Sequence, residues 1–295
     1  MSDKISPSND PKGDVEAFEA NWKNRIETSY LHWTRDQPIN QIQLAFRRHW
    51  LTFQSLLDGR EGNRRCLEVG CGRGSLSAYF ADAGWDCTLL DLSSSAIERA
   101  QEAFDKEGLS AKFDIGDCLN LPYPDNSFDL VFSIGLLEHF QEIDKVISEQ
   151  VRVLAPSGLF IGYVVPELPE NLQKNYEWVN DLLRALLLDK TTEASTGKTD
   201  VYRSDALSPP YLAIMNELGL EEIGHDGAYS LPMISHSPAF PFSLLPSEAE
   251  KSLVNTFEKW LAEREKDSGS DPWRCAEGEG QAFLVWGRKK LEGKI

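Results

Sequence analysis

The spacing of hydrophobic and polar positions changes repeatedly along the middle of the chain. Short apolar runs, typical of buried strands, are separated by stretches in which apolar residues recur every three to four positions, as in helices. The predicted strands are 66–69, 87–90, 111–115, 129–134 and 159–165, and the predicted helices are 75–83, 95–106 and 138–153. Because strands and helices alternate with short links, the pattern predicts a doubly wound α/β fold with helices on both faces of a parallel sheet.

The flanking segments extend this core. An aromatic-rich helical pattern over 15–57, interrupted at Pro38, predicts two N-terminal helices. Two further apolar runs, at 220–229 and 281–287, would bring the sheet to seven strands. The predicted organisation is a disordered tail at 1–14, a helical cap at 15–62, and a sheet domain at 63–290 with insertions at 166–207 and 229–280 over the active-site edge.

The charge balance restricts the expected partners. The chain carries 30 Lys and Arg against 47 Asp and Glu, a formal net charge of −17. Because nucleic acids and anionic membranes repel such a chain, we expect neither as a partner. The longest uncharged run, 227–247, contains four prolines and cannot form a membrane-spanning helix. The polar N-terminus lacks the apolar block of a secretory signal, and the five cysteines show no zinc or disulfide spacing. We therefore expect a cytoplasmic protein without a metal.

A glycine-rich loop follows the first predicted strand. The run Glu68-Val69-Gly70-Cys71-Gly72-Arg73-Gly74 lies directly between a strand and a helix. Glycines let the backbone approach a ligand closely, and the start of the helix offers unpaired N–H groups. The dinucleotide pattern Gly-x-Gly-x-x-Gly requires a glycine at position 75, where this chain has Ser75. A nicotinamide-dependent oxidoreductase is therefore the less favoured alternative.

Acidic residues end the next two predicted strands. Asp91 is suitably placed to accept both hydroxyls of a ribose, and Asp117-Cys118 could bind an adenine edge. Structural roles stay open for both acids, since Asp91 could cap a helix and Asp117 could form an Asx turn. Because the carboxyl ends of parallel strands meet at one edge of a sheet, the three segments together predict a nucleoside-binding site.

These segments resemble the class I S-adenosylmethionine-dependent methyltransferases. The matching segments are LEVGCGRG at 67–74, LDLS at 90–93, GDCLNLPYPDNSFD at 116–129, LLEHF at 136–140 and VLAPSG at 153–158. The resemblance implies a Rossmann-like sheet whose seventh strand is antiparallel, S-adenosylmethionine as the cofactor, and methyl transfer to a small molecule. The implied cofactor contacts are Gly70 and Gly72 to the methionyl part, Glu68 to its amino group, Asp91 to the ribose, Leu92 beside the adenine, Asp117 and Cys118 at the adenine edge, and backbone of Ser133 or Ile134 near the sulfonium.

The acceptor site is less sharply indicated. The candidate catalytic residues are His139, Tyr30 and His32, and the candidate substrate contacts are Tyr30, Trp33 and Arg35. A structural hydrogen bond is the commoner use of such a histidine, and packing is the commoner use of such aromatic residues. An oxygen acceptor needs a base, whereas a thioether or a neutral amine does not. The arginines in or near the cap and the first insertion are Arg25, Arg35 and Arg203. They would suit a carboxylate-bearing acceptor, for example a sulfur amino acid such as methionine.

Two matters stay open at this level. A non-catalytic cofactor-binding or scaffold protein would share these motifs, because a fold does not by itself establish an activity. A homo-oligomer is also compatible with the sequence, which carries no signal that decides the oligomeric state.

Overall fold

A mixed β-sheet forms the centre of the computed structural model, which describes residue 19 and residues 32–187, 202–234 and 245–291. Its strands are β1 Arg65–Val69, β2 Asp86–Asp91, β3 Lys112–Ile115, β4 Phe128–Ile134, β5 Leu154–Val164, β6 Glu221–Ala228, β7 Arg274–Cys275 and β8 Ala282–Arg288. They lie in the order β3-β2-β1-β4-β5-β8-β6-β7. Strands β1 to β5 pair in parallel, and their carboxyl ends therefore share one edge of the sheet.

Helices cover both faces of this sheet. They are α1 Gln41–Leu57, α2 Ser75–Asp82, α3 Ser94–Glu107, α4 Ile143–Val153, α5 Leu172–Asn175, α6 Glu177–Leu187, α7 Pro209–Glu217 and α8 Ser247–Ser268, with a single 3-10 turn at Leu137–His139. Helices α1, α2 and α3 contribute to the hydrophobic cluster on one face, and α4 and α7 to the cluster on the other. A third cluster joins α8 to α1. The doubly wound α/β fold predicted from the sequence is confirmed.

The sheet corrects the predicted strand number from seven to eight. The predicted seventh strand is β8, which runs antiparallel to both of its neighbours, β5 and β6. The additional strand is β7, two residues that pair with the end of β6 as Gly227↔Cys275 and Ala228↔Arg274. A two-residue strand is too short to show the alternation from which strands are recognised in a sequence.

Backbone contacts join the two ends of the first insertion beside the carboxyl edge. The Glu167 N–H donates to the Ser204 carbonyl at 2.9 Å, and the Ser204 N–H donates to the Glu138 carbonyl at 2.8 Å. Of the predicted cap at 15–62, the structure describes Glu19 and the residues from 32 onward, and the predicted tail at 1–14 lies outside the described residues. No helix within the described ranges has the length and apolarity needed to cross a membrane.

We expect Asn40→Ala to lower the free energy of unfolding by about 1 kcal/mol, because Asn40 caps α1. Its side-chain oxygen accepts the Gln43 N–H at 2.8 Å, and α1 buries one face in the core. Asn171→Ala is the matched control, since Asn171 accepts the Lys174 N–H at 3.0 Å but caps the four-residue α5, which buries no residue. Urea unfolding of both variants measures the effect, and equal losses would contradict the prediction.

Candidate functional site

The glycine loop turns sharply between β1 and α2. Gly70, Gly72 and Gly74 have φ values of 68°, 53° and 67°, the left-handed region that favours glycine. The N–H groups of Gly70 and Cys71 both donate to the Leu90 carbonyl, at 2.8 and 3.0 Å. These two bonds fix the loop to the end of the neighbouring strand β2, so the loop has a defined shape.

Asp91 joins the glycine loop to the start of α3. One carboxylate oxygen accepts the Gly72 N–H at 2.9 Å, and the other accepts the Ser93 N–H at 2.9 Å. Ser93 itself caps α3, because its Oγ accepts the Ala96 N–H at 3.1 Å. Each carboxylate oxygen has a second lone pair, so Asp91 can hold the loop and still accept a ligand hydroxyl.

Glu19 lies at the same helix start, and no pattern in the sequence marked it as a candidate. Its carboxylate accepts hydrogen bonds from the hydroxyls of Ser93 and Ser95. Burial raises the pKa of Asp91, and the nearby Glu19 charge raises it further. The described part of the N-terminal region therefore contacts the chain directly beside the predicted ribose-binding residue.

Two large apolar side chains stand exposed at the ends of β2 and β3. Leu92 is 45% exposed and Ile115 is 60% exposed, whereas the apolar residues within β2 are buried. Leu92 was predicted to flank the adenine, and Ile115 was missed. The sequence signal for Ile115 is its position as the last apolar residue of β3, directly before Gly116. Together the two side chains offer an apolar surface beside Asp91 on which a flat base could pack.

Asp117, the first residue of the pair Asp117-Cys118 after β3, forms the Asx turn that the sequence analysis kept as an alternative. The Asp117 carboxylate accepts the Leu119 N–H at 2.8 Å, which is an Asx turn. Cys118 is half-buried, and burial raises the pKa of its thiol to about 12. A thiol with that pKa stays protonated at neutral pH and is a poor nucleophile. Both residues lie at the predicted edge, and their contact with an adenine stays a prediction.

Glu68 supports the loop from beneath. Along β1 the side chains alternate between the two faces, which directs Glu68 toward α2. Its carboxylate accepts the Ser77 N–H at 3.2 Å and the Ser77 hydroxyl at 2.5 Å. Burial raises the pKa of Glu68 to about 8. The described contacts are thus to α2, and the predicted contact with the cofactor amino group remains a prediction.

The segment after β4 packs directly on the glycine loop. A β-carbon at Gly70 would lie 2.8 Å from Cδ1 of Leu136, so these two segments touch. Ser133 is buried with no described hydrogen-bond partner for its Oγ, and Ile134 is half-buried. Backbone of these two residues was predicted to lie near the sulfonium, and the contact with Gly70 brings their strand end to the loop.

Glu138 is the main residue that the sequence reasoning passed over. It is fully buried, and within the described ranges neither carboxylate oxygen has a hydrogen-bond partner. The signal was present, because an acid sits inside the apolar run Leu136-Leu137-Glu138-His139-Phe140. Its surroundings are set by tertiary contacts, since residues 202–204, distant in the sequence, bond to the backbone of Glu138 and to the ring of His139.

Two of the predicted catalytic residues are held by hydrogen bonds. His139 donates from Nδ1 to the Tyr202 carbonyl at 2.7 Å, which ties the 3-10 turn to the end of the first insertion. His32 lies beside the glycine loop, with Nδ1 2.9 Å from the hydroxyl of Ser75, the first residue of α2. Its ring stacks on Phe46 at 5.2 Å. Tyr30, the third candidate, lies outside the described residues.

The predicted substrate contacts are not brought together at the loop. Trp33 is buried and packs edge-on against Tyr79, with ring centroids 6.3 Å apart. Arg35 forms an ion pair of 2.7 Å with Asp82, the last residue of α2, at the opposite end of that helix from the glycine loop. Within the described ranges, no group of three or more His, Cys, Asp or Glu side chains is arranged to hold a metal ion.

We expect Gly74→Ala to be more destabilising than Gly108→Ala by about 1–3 kcal/mol, because only the first adds a steric clash. A β-carbon at Gly74 would lie 2.2 Å from Cδ2 of Leu89, whereas nothing lies within 4 Å at Gly108. The backbone strain is matched, since φ is 67° at Gly74 and 65° at Gly108. Chemical denaturation measures both variants, and equal destabilisation would show that the loop gives way to the added methyl group.

We expect Glu68→Gln to gain stability relative to the wild type as the pH rises from about 5 to about 8, by roughly 1–3 kcal/mol. Because the pKa of Glu68 is raised from 4.5 to about 8, the folded protein keeps a proton that the unfolded chain releases. Wild-type stability therefore falls across this window, and glutamine cannot ionise. Urea unfolding at three pH values checks the trend. Glu98→Gln, at an exposed position on α3, is the control, and an equal pH trend in that variant would contradict the assignment.

The part of the chain that matches known proteins includes the residues at this edge of the sheet. Residues 67–162 match a family model described as a methyltransferase domain. The norajmaline N-methyltransferase of Rauvolfia serpentina is 42% identical over 98 residues, which are 32% of this chain and 34% of that protein. The probable chloroplastic tocopherol O-methyltransferase of Oryza sativa is 35% identical over 179 residues, which are 59% of this chain and 47% of that protein. The chain thus spans less than half of the length of either relative.

The fold comparison agrees with the sequence matches. The YcgJ protein of Bacillus subtilis superposes with a TM-score of 0.53 at 22% identity, covering 83% of this chain and 99% of that protein. At this identity the likeness shows the fold alone. The glycine loop, Asp91 and the apolar edge all fall within the matched residues. Residues 67–162 thus form a methyltransferase domain that resembles those of the class I S-adenosylmethionine-dependent methyltransferases.

Proposed function

We propose that the protein is an enzyme that transfers the methyl group of S-adenosylmethionine to a small-molecule acceptor. The observation that carries this proposal is the bond between the Asp91 carboxylate and the Gly72 N–H. It sets a hydroxyl-binding carboxylate against a glycine loop, with exposed Leu92 and Ile115 on the adjoining strand ends. The family match over the same residues supports this proposal.

The residues present suit the cofactor chemically. The glycine loop leaves room for close approach of a ligand, the second lone pairs of Asp91 suit ribose hydroxyls, and Leu92 with Ile115 suits a flat base. When bound, the cofactor supplies a methyl group already activated by the positive charge on sulfur. The chain's own task is then to align the acceptor with that methyl group and to exclude water.

The choice of acceptor is guided by the charges of the described residues. Arg35 is paired with Asp82, and Arg203 lies 3.7 Å from Glu167, while Arg25 lies outside the described residues. The two described arginines are therefore already neutralised, and they lend no support to a carboxylate-bearing acceptor such as methionine. The two relatives named above are an N-methyltransferase and a probable O-methyltransferase, and we extend only the small-molecule class of acceptor to this chain.

An oxygen acceptor would need a base near the methyl group, and His139 and His32 are the described candidates. Because Nδ1 of His139 donates to the Tyr202 carbonyl, it carries the ring proton, and the neutral ring is basic at Nε2. A nitrogen acceptor would need only a neutral lone pair. A cofactor-binding protein without turnover is the competing reading, and it predicts binding without methyl transfer.

We test the function with titration calorimetry and a methyl-transfer assay. S-adenosylmethionine and S-adenosylhomocysteine should bind, a nicotinamide dinucleotide should not, and labelled methyl should enter a member of a panel of amines, phenols and thioethers that includes methionine. Binding with no transfer to any panel member would favour the non-catalytic reading. Preference for the nicotinamide compound would reject the assignment.

We expect Asp91→Ala to weaken binding of S-adenosylhomocysteine by about ten- to hundredfold, the usual effect of losing hydrogen bonds to a charged group. Asp86→Ala is the matched control, because Asp86 begins the same strand at the opposite edge and pairs with Lys112 at 3.1 Å. Its affinity should stay within about twofold of the wild type. Calorimetry measures both, and wild-type affinity in Asp91→Ala would remove the basis of the proposal.

A further inference from the structure

Glu138 lies immediately behind the segment that borders the glycine loop. Gly135 turns the chain after β4 with a φ of 64°, and Oε1 of Glu138 is 3.5 Å from the position of a β-carbon at Gly135. The next residue, Leu136, packs on Gly70 of the glycine loop. Leu136 would therefore border a ligand held on that loop, and the Glu138 carboxylate lies close behind this segment.

The carboxylate of Glu138 is buried without a compensating bond. It is fully buried, and neither oxygen has a hydrogen-bond partner within the described ranges. The N–H groups of Glu138 itself and of Val165 act to lower its pKa, but neither reaches hydrogen-bond geometry. Burial outweighs them and raises the pKa of Glu138 to about 7. Burying an isolated carboxylate lowers the stability of the fold. Groups that are buried at such a cost are typical of functional sites.

The groups around Glu138 leave its charge largely unbalanced. The titratable neighbours are Tyr163 on β5, Tyr211 on α7, His139 in the same turn, and Arg203 with Glu167 at the two ends of the first insertion. The hydroxyls of Tyr163 and Tyr211 are buried without described partners; burial raises the pKa of both, and the Glu138 charge adds to that rise. The charge of Arg203 lowers the pKa of Glu138, but its guanidinium is shared with Glu167 at 3.7 Å.

We propose that Glu138 is a through-space counter-charge for the sulfonium of S-adenosylmethionine, so that the site prefers this cofactor to its neutral product. The proposal rests on the proposed function. No direct contact is required, because charges interact over several ångströms where water is excluded. A carboxylate with no hydrogen-bonded cation of its own keeps this field available to a ligand.

The preference would follow the chemistry of transfer. The acceptor's lone pair forms the new bond to the methyl carbon, and the electrons of the broken sulfur–carbon bond remain on sulfur. The positive charge therefore leaves with the methyl group, and the attraction to Glu138 at sulfur ends. Product release is then favoured over retention, since S-adenosylhomocysteine lacks the charge that Glu138 recognises.

The ratio of the affinities for S-adenosylmethionine and S-adenosylhomocysteine reports the interaction of the site with the charge at sulfur. S-adenosylmethionine and S-adenosylhomocysteine share the adenine, ribose, amino and carboxylate groups, so contacts of Asp91 and Glu68 with those groups cancel in the ratio. The charge at sulfur does not cancel. Glu138 is charged above its pKa, so the preference for S-adenosylmethionine should be present at alkaline pH and lost as the pH falls through about 7.

The test is calorimetric titration of both ligands between about pH 6 and pH 8 with the wild type, Glu138→Gln and Glu170→Gln. In the wild type we expect the preference for S-adenosylmethionine to rise by about fivefold or more over this range, because an ionised carboxylate replaces a neutral one. Glu138→Gln should keep the low-pH ratio throughout and bind S-adenosylhomocysteine within about twofold of the wild type. Glu170→Gln, at an exposed position further along the first insertion, should behave as the wild type does.

Two results would overturn the inference while leaving the proposed function intact. One is a wild-type ratio that does not change with pH, a measurement that needs no variant and so decides the matter even if Glu138→Gln fails to fold. The other is a pH-dependent ratio that persists in folded Glu138→Gln, which would assign the effect to another acid. Failure of the wild type to bind either ligand would instead reject the proposed function, and the inference with it.

Discussion

The hydrogen bond from the Gly72 N–H to the Asp91 carboxylate is the constraint on which the candidate site depends. It joins the loops that follow two neighbouring parallel strands, and the bonds to the Leu90 carbonyl reinforce the same link. A loop fixed in this way is already in its binding shape, so a ligand does not have to order it. The start of the following helix and the end of the neighbouring strand are therefore held in fixed positions relative to each other. The apolar surface formed by Leu92 and Ile115 lies beside them.

A second common feature is the collection of acids at this edge. Glu68, Asp91 and Glu138 follow or end three different strands, and burial raises the pKa of each. Glu68 and Asp91 are compensated by hydrogen bonds from α2, the loop and the start of α3, whereas Glu138 is not. A ligand that brings positive charge to this edge would therefore favour the ionised form of these acids and be attracted by it.

The sequence predicts the parallel core and the glycine loop because both are local. Strand and helix periods, and the spacing of Gly70, Gly72 and Asp91, can be read within about thirty residues of each other, the size of one βαβ unit. Burial of Glu138 could not be predicted, because it depends on tertiary packing around a turn that a distant part of the chain, at Ser204, contacts. The ion pair of Arg35 with Asp82 could not be predicted for the same reason, since the two residues are tertiary neighbours. The strand β7 is too short to carry any pattern.

The position of β8 has a consequence for how the protein is made. This strand lies between β5 and β6, and it is the strand through which β6 and β7 join the rest of the sheet. While the ribosome is still translating residues 245–281, β6 has no place to dock, and β5 presents an unpaired, apolar border. Closure of the sheet must therefore await emergence of residues 282–288, and until then that border is a point at which nascent chains can aggregate.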